Sequence, residues 1–545
     1  MPAEPPQSKK AEATLETMRK IFTAPESEHS TLNRLDREIS ENLLGFLGSR
    51  IVAGDIAPGN LEQDFMETQV PESPMFVSEQ VEFLLNKVVA QSVHTSSPSF
   101  IGHMTSALPY FMFPLAKIMM TLNQNVVKIE TSKAFTPLER QVVGMLHRLV
   151  YDEPDEFYAQ WTQSFSHSLG VFCSGGTIAN VTGLWAARNR RFGPSAGFAG
   201  IAEEGLAAAL AHAGLAGVAV LVSKRGHYSL GKAADLLGFG KRQLVSIPVT
   251  SRHTVDLAAL EREIAALKAR RIGVLAVVGI AGATETGSVD PLNELADIAK
   301  EHGAHFHVDA AWGGPTLFSE RHRHLLDGIR RADSVTLDAH KQLYVPVGAG
   351  MVVFKDVQAL GAVEHHANYV IRRGSRDIGK HTLEGTRMGM AMLVHSALRI
   401  IGRRGYELLI DLGIDKAAHF ARMIERTPDF EVASAPVLNL LTYRYVPQAA
   451  RALFASGTPA QKHAANKVLN RLNESIQKEQ RAGGKTFVSR TRLETAVHGG
   501  QVLTVFRVVL ANPLTTSKIL ADILEEQRAH GERLWREEGY SLPGR

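Results

Sequence analysis

Short apolar runs alternate with amphipathic stretches through the middle of the chain. The apolar runs have the length and composition of buried strands, and they cover residues 218–223, 273–282, 305–311, 334–338 and 349–354. Stretches with the helical spacing of apolar residues, such as 257–270 and 291–302, lie between several of them. Repeated strand–helix–strand units predict an α/β fold with a mostly parallel central sheet that helices cover on both faces.

The two ends of the chain follow other patterns. Helical spacing at 30–47 and after Pro74 predicts helices in the first part. Beyond residue 375, a long helix is predicted over 386–405, followed by strands at 437–445, 486–492 and 503–510 and helices at 460–480 and 516–537. We therefore predict a helical segment over 1–95 with a flexible start of about 25 residues, a large domain over 96–375 and a small α/β domain over 376–545.

Composition and charge exclude several classes of protein. The surplus of 60 Lys and Arg over 56 Asp and Glu gives a formal charge of +4, which is too small and too scattered to indicate nucleic acid. The single cysteine, Cys173, excludes an intrachain disulfide and a site built from cysteines alone. The apolar stretch 107–120 is short and broken by prolines, so we expect no membrane partner and a cytoplasmic location.

The strongest chemical signal is a lysine that directly follows an apolar run. The sequence DAHKQLY starts at Asp338 and places Lys341 just beyond a predicted strand. Because an ammonium group is costly to bury, such a lysine either lies on the surface or is used chemically. Position alone does not decide between these two explanations.

A carboxylate follows another apolar run. The sequence HVDAAWGGP places Asp309 at a strand end, before Ala310, Ala311 and two glycines that leave room for a flat ring. Pyridoxal phosphate (PLP) needs a lysine for covalent attachment and an acid opposite its pyridine nitrogen. At ~3 Å and an effective dielectric constant near 20, the carboxylate contributes roughly 5 kcal/mol, enough to keep that nitrogen protonated. Taken alone, Asp309 could equally cap a turn or a helix.

Three further stretches place polar groups where such a cofactor needs them. Gly175, Gly176 and Thr177 begin a predicted helix, whose free N–H groups and positive dipole end suit a phosphate. His227 follows one strand and could stack on the ring, and Thr284 follows another and could bond a ring oxygen. Each also has an ordinary structural explanation as a helix cap, a packed histidine or a polar loop.

The order of these motifs resembles the group II PLP-dependent decarboxylases of fold type I, which include glutamate, aromatic amino acid and cysteine sulfinate decarboxylases. The resemblance covers about residues 90–410. It implies PLP as the cofactor and Lys341, Asp309 and His227 as catalytic residues: the attachment point, the pyridine partner and the ring-stacking residue. The implied cofactor-binding set is Gly175, Gly176, Thr177, His227, Thr284, Asp309, Ala311, His340 and Lys341.

One departure from the family pattern concerns the residues before the His-Lys pair. Many members have Asn-Pro there, whereas this chain has Asp338-Ala339. A carboxylate repels a phosphate, so a phosphate-binding role for Asp338 is in question.

The runs HTSSPSFIGHMTSALP, LNQNVVKIETSKAFTPLERQVVGMLHRL and HTLEGTR resemble the bacterial branch of the family that acts on L-aspartate. The resemblance implies conversion of L-aspartate to β-alanine and CO₂, a supply route for pantothenate and coenzyme A. Arg387 is the candidate clamp for a substrate carboxylate, although it could also cap a helix or lie in a dimer interface. His103, Ser96 and Ser97 are candidate pocket residues.

The resemblance also implies a tyrosine on a mobile loop that protonates the substrate carbon after CO₂ leaves. Tyr344 is tethered too closely to Lys341 to serve as a lid. Tyr369 lies in the Gly- and charge-rich stretch HHANYVIRRGSRDIGKH, so it is the preferred candidate. A homodimer with its site at the subunit interface is likewise implied.

Several alternatives stay open at this point. Glutamate is the main rival substrate, because one methylene changes selectivity by only about 1–3 kcal/mol in an apolar pocket. Cysteine sulfinate or tyrosine, an aminotransferase reaction and a non-catalytic protein of the same fold are the others. No metal site is expected, because the histidines of HGAHFH and HRH lack an accompanying set of carboxylates.

Overall fold

The computed structural model describes residues 31–49, 52–54, 58–105, 107–367, 371–372, 374–495, 498–537, 540 and 542. The predicted flexible start of the chain lies outside these residues. Before the large sheet come α1 to α7, at Thr31–Gly48, Pro58–Glu62, Val77–Phe83, Met112–Leu122, Ile129–Ser132, Phe135–Tyr151 and Asp155–Trp161. No helix in the described part of the chain has the length and apolar character needed to cross a membrane.

A seven-stranded sheet is the centre of the described structure. Its strands β1 to β7 are Gly170–Cys173, Gly217–Ser223, Leu244–Ile247, Ile272–Ile280, His305–Asp309, Ser334–Asp338 and Gly350–Phe354. The spatial order is β1-β7-β6-β5-β4-β2-β3, and only β7 runs antiparallel to its neighbours. Helices α8 to α12 lie between the strands along the chain, at Gly176–Arg191, Ile201–His212, Ser229–Leu236, Leu257–Ala269 and Leu292–Glu301. The predicted α/β fold with a mostly parallel sheet is confirmed.

Both faces of the large sheet are buried. Along β2, Ala219 and Leu221 pack into a cluster with residues of α6, α11 and α12. The alternate residues Val218, Val220 and Val222 pack into a second cluster with α8 and α10. Since successive side chains of a strand point to opposite faces, this continuous apolar run requires helices on both sides.

A smaller antiparallel sheet follows. Helix α13, Ala391–Glu425, leads into β8 to β11 at Phe430–Ser434, Leu440–Tyr445, Ser489–Thr495 and Gln501–Val509. The spatial order is β10-β11-β9-β8, and helices α14 to α16 are Gln448–Ser456, Pro459–Gly483 and Ser517–Glu537. The early residue Ile101 also belongs here, because its backbone bonds Phe487 and Val509. The domain boundaries near residues 95 and 375 stay a prediction.

The prediction of the long helix was wrong at both ends. Helix α13 begins only after Gly389, where a Cβ would come 2.2 Å from the ring of Phe135, and this close packing fixes the chain before the helix. It continues past the predicted end through a kink at Gly402, since Tyr406 and Phe420 are buried on its second half. The strands β1, β3 and β8 were not predicted. Four residues in β1 and in β3 give little periodic signal, and Glu431 and Ser434 interrupt the apolar character of β8.

Candidate active site

The carboxyl ends of the parallel strands surround a cavity of about 350 Å³. Loops that follow β1, β2, β4, β5 and β6 meet there, as expected for a ligand site in an open α/β sheet. The sequence-predicted cofactor residues all line this cavity: Gly175, Gly176, Thr177, His227, Thr284, Asp309, Ala311, His340 and Lys341. The fold therefore brings together residues that lie far apart in the chain.

Lys341 stands beside a buried carboxylate. Its Nζ lies 3.0 Å from Oδ2 of Asp338, and the side chains are 18% and 3% exposed. The other oxygen, Oδ1, has no hydrogen-bond partner within the described residues. His340 also faces this carboxylate, with Nε2 3.6 Å from Oδ2, while its Nδ1 is 2.9 Å from the Ala349 carbonyl. Asp338 thus neutralises the free lysine in this structure, which is a different role from phosphate binding.

Asp309 is held at the end of β5 by two donors. Its Oδ1 accepts a bond of 3.2 Å from the backbone N–H of Ala311, and its Oδ2 accepts one of 2.9 Å from Nδ2 of Asn180. The residue is buried and lines the cavity. Hydrogen bonds to a carboxylate stabilise its anionic form, so this acid is suited to face a cationic ring nitrogen.

His227 reaches the cavity from the loop after β2. Its Nδ1 lies 2.9 Å from Oγ of Ser229, which begins helix α10. Burial lowers the pKa of His227, and the positive charge of Lys341 lowers it further, against the opposing effect of Asp309. The imidazole is thereby favoured in its neutral form, which suits stacking on an electron-poor ring.

The start of helix α8 provides a place for a phosphate. The N–H groups of a first helical turn have no acceptor within the helix, and those of Gly176 and Thr177 border the cavity. A Cβ on Gly176 would come 2.9 Å from Asp338 Oδ2, so only glycine leaves this backbone open. A lysine, an acid, a histidine and a helix start with this arrangement fit PLP.

Arg387 does not line the cavity. Its guanidinium makes two hydrogen bonds to the Glu139 carboxylate, of which the one from Nη1 to Oε2 measures 2.6 Å. Both side chains are buried, at 9% and 4% exposed. An arginine already paired in this way is not free to hold a substrate, so the contacts favour the alternative of a structural arginine, and the clamp role stays a prediction.

The other predicted substrate residues divide into two groups. Ser96 and Ser97 offer backbone carbonyls to the Asn512 amide at 3.1 and 3.2 Å, and neither lines the cavity. His103 does not line the cavity either, but its pKa is lowered, first by partial burial and then by the charges of Arg507 and Lys341. Of the three, His103 alone shares the electrostatic surroundings of the lysine.

The tyrosine predictions concern two different regions. Tyr369 lies outside the described residues. Tyr344 is buried, and its hydroxyl donates a bond of 2.8 Å to the Ala511 carbonyl. Burial raises the pKa of Tyr344, and this bonded hydroxyl is not presented to the cavity.

Arg507 is a cation that the sequence reasoning missed. It lies within the apolar strand β11, and its Nε is buried without a hydrogen-bond partner among the described residues. Burial lowers its pKa to about 10, although the nearby Glu285 carboxylate acts in the other direction. That carboxylate is itself engaged by Arg225, which lines the cavity, and by Thr491 Oγ1 at 3.1 Å. A lone charge in the run TVFRVVL was the available signal.

Comparisons with known proteins identify the family. Residues 58–446 match the pyridoxal-dependent decarboxylase conserved domain. The chain belongs to this family. It is therefore a PLP-dependent amino-acid decarboxylase, and the prediction of the cofactor and of the reaction class is confirmed.

Relatives cover nearly the whole chain. Aspartate 1-decarboxylase of Aliivibrio fischeri is 57% identical over 521 residues, which are 96% of this chain and 95% of that protein. An L-2,4-diaminobutyrate decarboxylase of Acinetobacter baumannii is 25% identical over 477 residues, 86% of each chain. A crystal structure of mouse CSAD covers 92% of this decarboxylase and 99% of that chain, with 25% identity and a TM-score of 0.80. The fold class of the decarboxylase is thus confirmed by solved structures.

Proposed function

We propose that this decarboxylase acts on L-aspartate and releases β-alanine and CO₂. The Aliivibrio fischeri relative, 57% identical over 96% of this chain, is named for that substrate. The structural observation that carries the proposal is Arg507, a half-buried arginine whose Nε is buried without a hydrogen-bond partner among the described residues. A substrate with a second carboxylate requires a fixed positive charge of this kind.

Arg507 is assigned to the side-chain carboxylate of the substrate and not to the one that leaves. The leaving carboxylate loses its negative charge as it becomes CO₂. A cation bonded to it would stabilise the bound substrate more than the transition state and would slow the reaction. A cation bonded to the side-chain carboxylate is equally favourable in both states and therefore contributes selectivity without this penalty.

The remaining roles follow from the cavity. Lys341 binds the cofactor aldehyde covalently, Asp309 keeps the ring nitrogen protonated, and His227 packs on the ring. The N–H groups of Gly176 and Thr177 donate hydrogen bonds to the phosphate. Bound PLP supplies the electron sink for the bond that breaks between Cα and the carboxylate.

Tyr369 is proposed as the group that delivers a proton to Cα. Its nearest rival in sequence, Tyr344, has its hydroxyl committed to the Ala511 carbonyl. Replacement of Tyr369 by phenylalanine is expected to divert the reaction toward transamination, because the proton then reaches the wrong carbon. Loss of active cofactor during turnover, measured as decaying visible absorbance, distinguishes this outcome from simple slowing.

A cytoplasmic homodimer is also proposed. Large apolar side chains are exposed along the segment 65–122, a surface that monomers rarely present: Phe65, Met66, Val70, Met75, Phe76, Phe113, Ile118 and Met120. A second copy of the chain is the proposed occupant, in agreement with the family resemblance. Sedimentation equilibrium at micromolar protein is expected to give twice the chain mass, and a monomer would contradict the proposal.

The deciding experiment is product analysis with the holoenzyme. L-Aspartate, L-glutamate, cysteine sulfinate and L-tyrosine are offered separately, and amines are identified by mass spectrometry. β-Alanine from aspartate is expected as the dominant product, and Lys341→Ala protein serves as the blank. γ-Aminobutyrate formed faster from glutamate, or an aromatic amine alone, would show that aspartate is not the substrate.

A further inference from the structure

A continuous series of hydrogen bonds runs from Asp309 into the middle of the large sheet. Asn180 Nδ2 donates to Asp309 Oδ2 at 2.9 Å, and Asn180 Oδ1 lies 3.0 Å from His307 Nε2. His307 Nδ1 lies 2.7 Å from Ser334 Oγ, and that oxygen is 2.7 Å from His305 Nε2. The side chains of Asp309, Asn180, His307 and Ser334 are all buried, so water does not compete for the hydrogen bonds between them.

The series has one consistent direction when both imidazoles are neutral. A carboxylate only accepts hydrogen bonds, so the amide nitrogen of Asn180 must face Asp309 and its oxygen must face His307. His307 then carries its proton on Nε2, and its bare Nδ1 accepts the hydroxyl proton of Ser334. The Ser334 oxygen in turn accepts from Nε2 of His305. Every donor along the series therefore points toward Asp309.

Burial supports this protonation state. It lowers the pKa of His305 to about 3 and lowers the pKa of His307 as well, so both rings are neutral at ordinary pH. Neighbouring hydrogen bonds with a common direction polarise one another in a low-dielectric interior. The effect of this polarisation is a stronger donor at the Asn180 amide.

Asn180 also reaches the second side of the cavity. Its Nδ2 lies 3.0 Å from Ser229 Oγ, which is 2.9 Å from His227 Nδ1. Since Asn180 donates to the Ser229 oxygen, the Ser229 hydroxyl proton is available for His227, whose own proton then lies on Nε2. One amide thereby orients both the acid at the end of β5 and the imidazole after β2.

We propose that Asn180 is a positioning residue that orients Asp309 and His227 toward the bound cofactor, with its own amide held in one orientation by His307, Ser334 and His305. Asn180 does not touch the reacting bond in this proposal. Its effect is exerted through the two side chains that flank the cofactor ring. Cofactor affinity is therefore the quantity that should respond, independently of turnover and of the identity of the substrate.

The test is the dissociation constant of PLP, measured by titrating cofactor-depleted enzyme and following the visible absorbance of the bound form. Asn180→Ala removes a hydrogen bond to a charged acceptor, a loss expected to weaken binding roughly 10- to 100-fold. Asn180→Asp keeps the volume but places an oxygen against Asp309, so it is also expected to weaken binding. Ser334→Ala, which interrupts the series further away, is expected to give a smaller loss of severalfold.

Asn189 provides a matched control on the same helix. It is buried like Asn180, but its amide donates to the Ala362 carbonyl at 2.9 Å, away from the cavity. Asn189→Ala is expected to lower the thermal unfolding midpoint without changing the cofactor dissociation constant. Thermal unfolding of every variant, without cofactor, separates general destabilisation from the specific effect.

The outcomes distinguish positioning from ordinary packing. Weaker PLP binding in folded Asn180→Ala or Asn180→Asp protein, with unchanged binding in Asn189→Ala, supports the proposal. If Asn180→Ala does not fold, Asn180→Asp and Ser334→Ala decide in the same assay. Binding within twofold of the unmodified enzyme in the folded variants, or an equal loss in Asn189→Ala, would overturn it.

Discussion

The two sheets place their charged side chains in different ways. In the large parallel sheet, the polar groups stand where strands end: Asp309 and Asp338 are the last residues of β5 and β6, and His227 follows β2. In the small antiparallel sheet, Arg507 lies inside β11, with apolar neighbours on either side. The first arrangement collects many groups at one edge, whereas the second supplies a single charge from a strand interior.

The difference has an energetic reason. At the edge of a parallel sheet, loops and a helix start provide donors for buried charges, as the Ala311 N–H and the Asn180 amide do for Asp309. Inside a strand the backbone groups are already used by the ladder, so a charged side chain must find partners elsewhere. Arg507 keeps a buried Nε without a partner in the described chain, which is tolerable if a ligand carboxylate completes the site.

Removal of Lys341 should have the largest effect. Lys341→Ala abolishes the covalent attachment of the cofactor, and we expect the turnover number to fall by at least about 10³-fold, as when other covalent catalytic groups are removed. The visible absorbance of the lysine-bound cofactor should disappear as well. Lys355 is a matched control, because it is exposed and also directly follows a strand of the same sheet. Full turnover in Lys341→Ala would contradict the assigned attachment point.

Replacement of Arg387 should reduce the stability of the fold more than it reduces catalysis. Its partner Glu139 is left as an unpaired buried carboxylate in Arg387→Ala, a change expected to lower the free energy of unfolding by about 3–5 kcal/mol. Replacing both residues by leucine should be less harmful than Arg387→Ala, since no charge stays buried alone. Urea unfolding measures the free energy of unfolding of both variants. A normal unfolding free energy with a strongly raised KM for aspartate would restore the clamp interpretation.

The parts of the molecule that could be predicted from sequence are those whose signal is local. Asp309 and Lys341 each follow an apolar run directly, so strand ends and cofactor groups were identified together. The pairing of Arg387 with Glu139 joins residues from distant segments, and Asn180 looks like any polar residue in a helix. Contacts of this kind are set by tertiary packing, and the pattern around each residue contains no record of them.

Arg507 should determine the selectivity for acidic substrates and should have little effect on the binding of the cofactor. Arg507→Gln removes a charge-assisted bond to the side-chain carboxylate, so kcat/KM for aspartate is expected to fall by roughly 10- to 100-fold. Binding of PLP should be unchanged. Arg490, on the neighbouring strand β10 and paired with Glu474 at 3.1 Å, is the control, and Arg490→Gln should behave like the unmodified enzyme. Equal losses for aspartate in both variants would remove Arg507 from the site.

The smallest expected effect concerns the protonation of a histidine in a strand of the large sheet. His305 lies in β5, and burial lowers its pKa from 6.5 to about 3. Because the folded state disfavours the protonated ring, the contribution of His305 to stability is complete above about pH 6.5 and is lost as the pH falls toward 3. Between pH 7 and pH 5 this loss amounts to about 2 kcal/mol for one histidine.

Urea unfolding at the two pH values checks this expectation. His305→Gln has no ring to protonate, so its free energy of unfolding should decrease by about 2 kcal/mol less than that of the unmodified chain between pH 7 and pH 5. The carboxylates titrate alike in both proteins and cancel in the difference. Equal decreases would mean that the protonated ring is accommodated in β5. A strand of the large sheet would then tolerate a cation, as β11 does with Arg507, and the contrast between the two sheets would be lost.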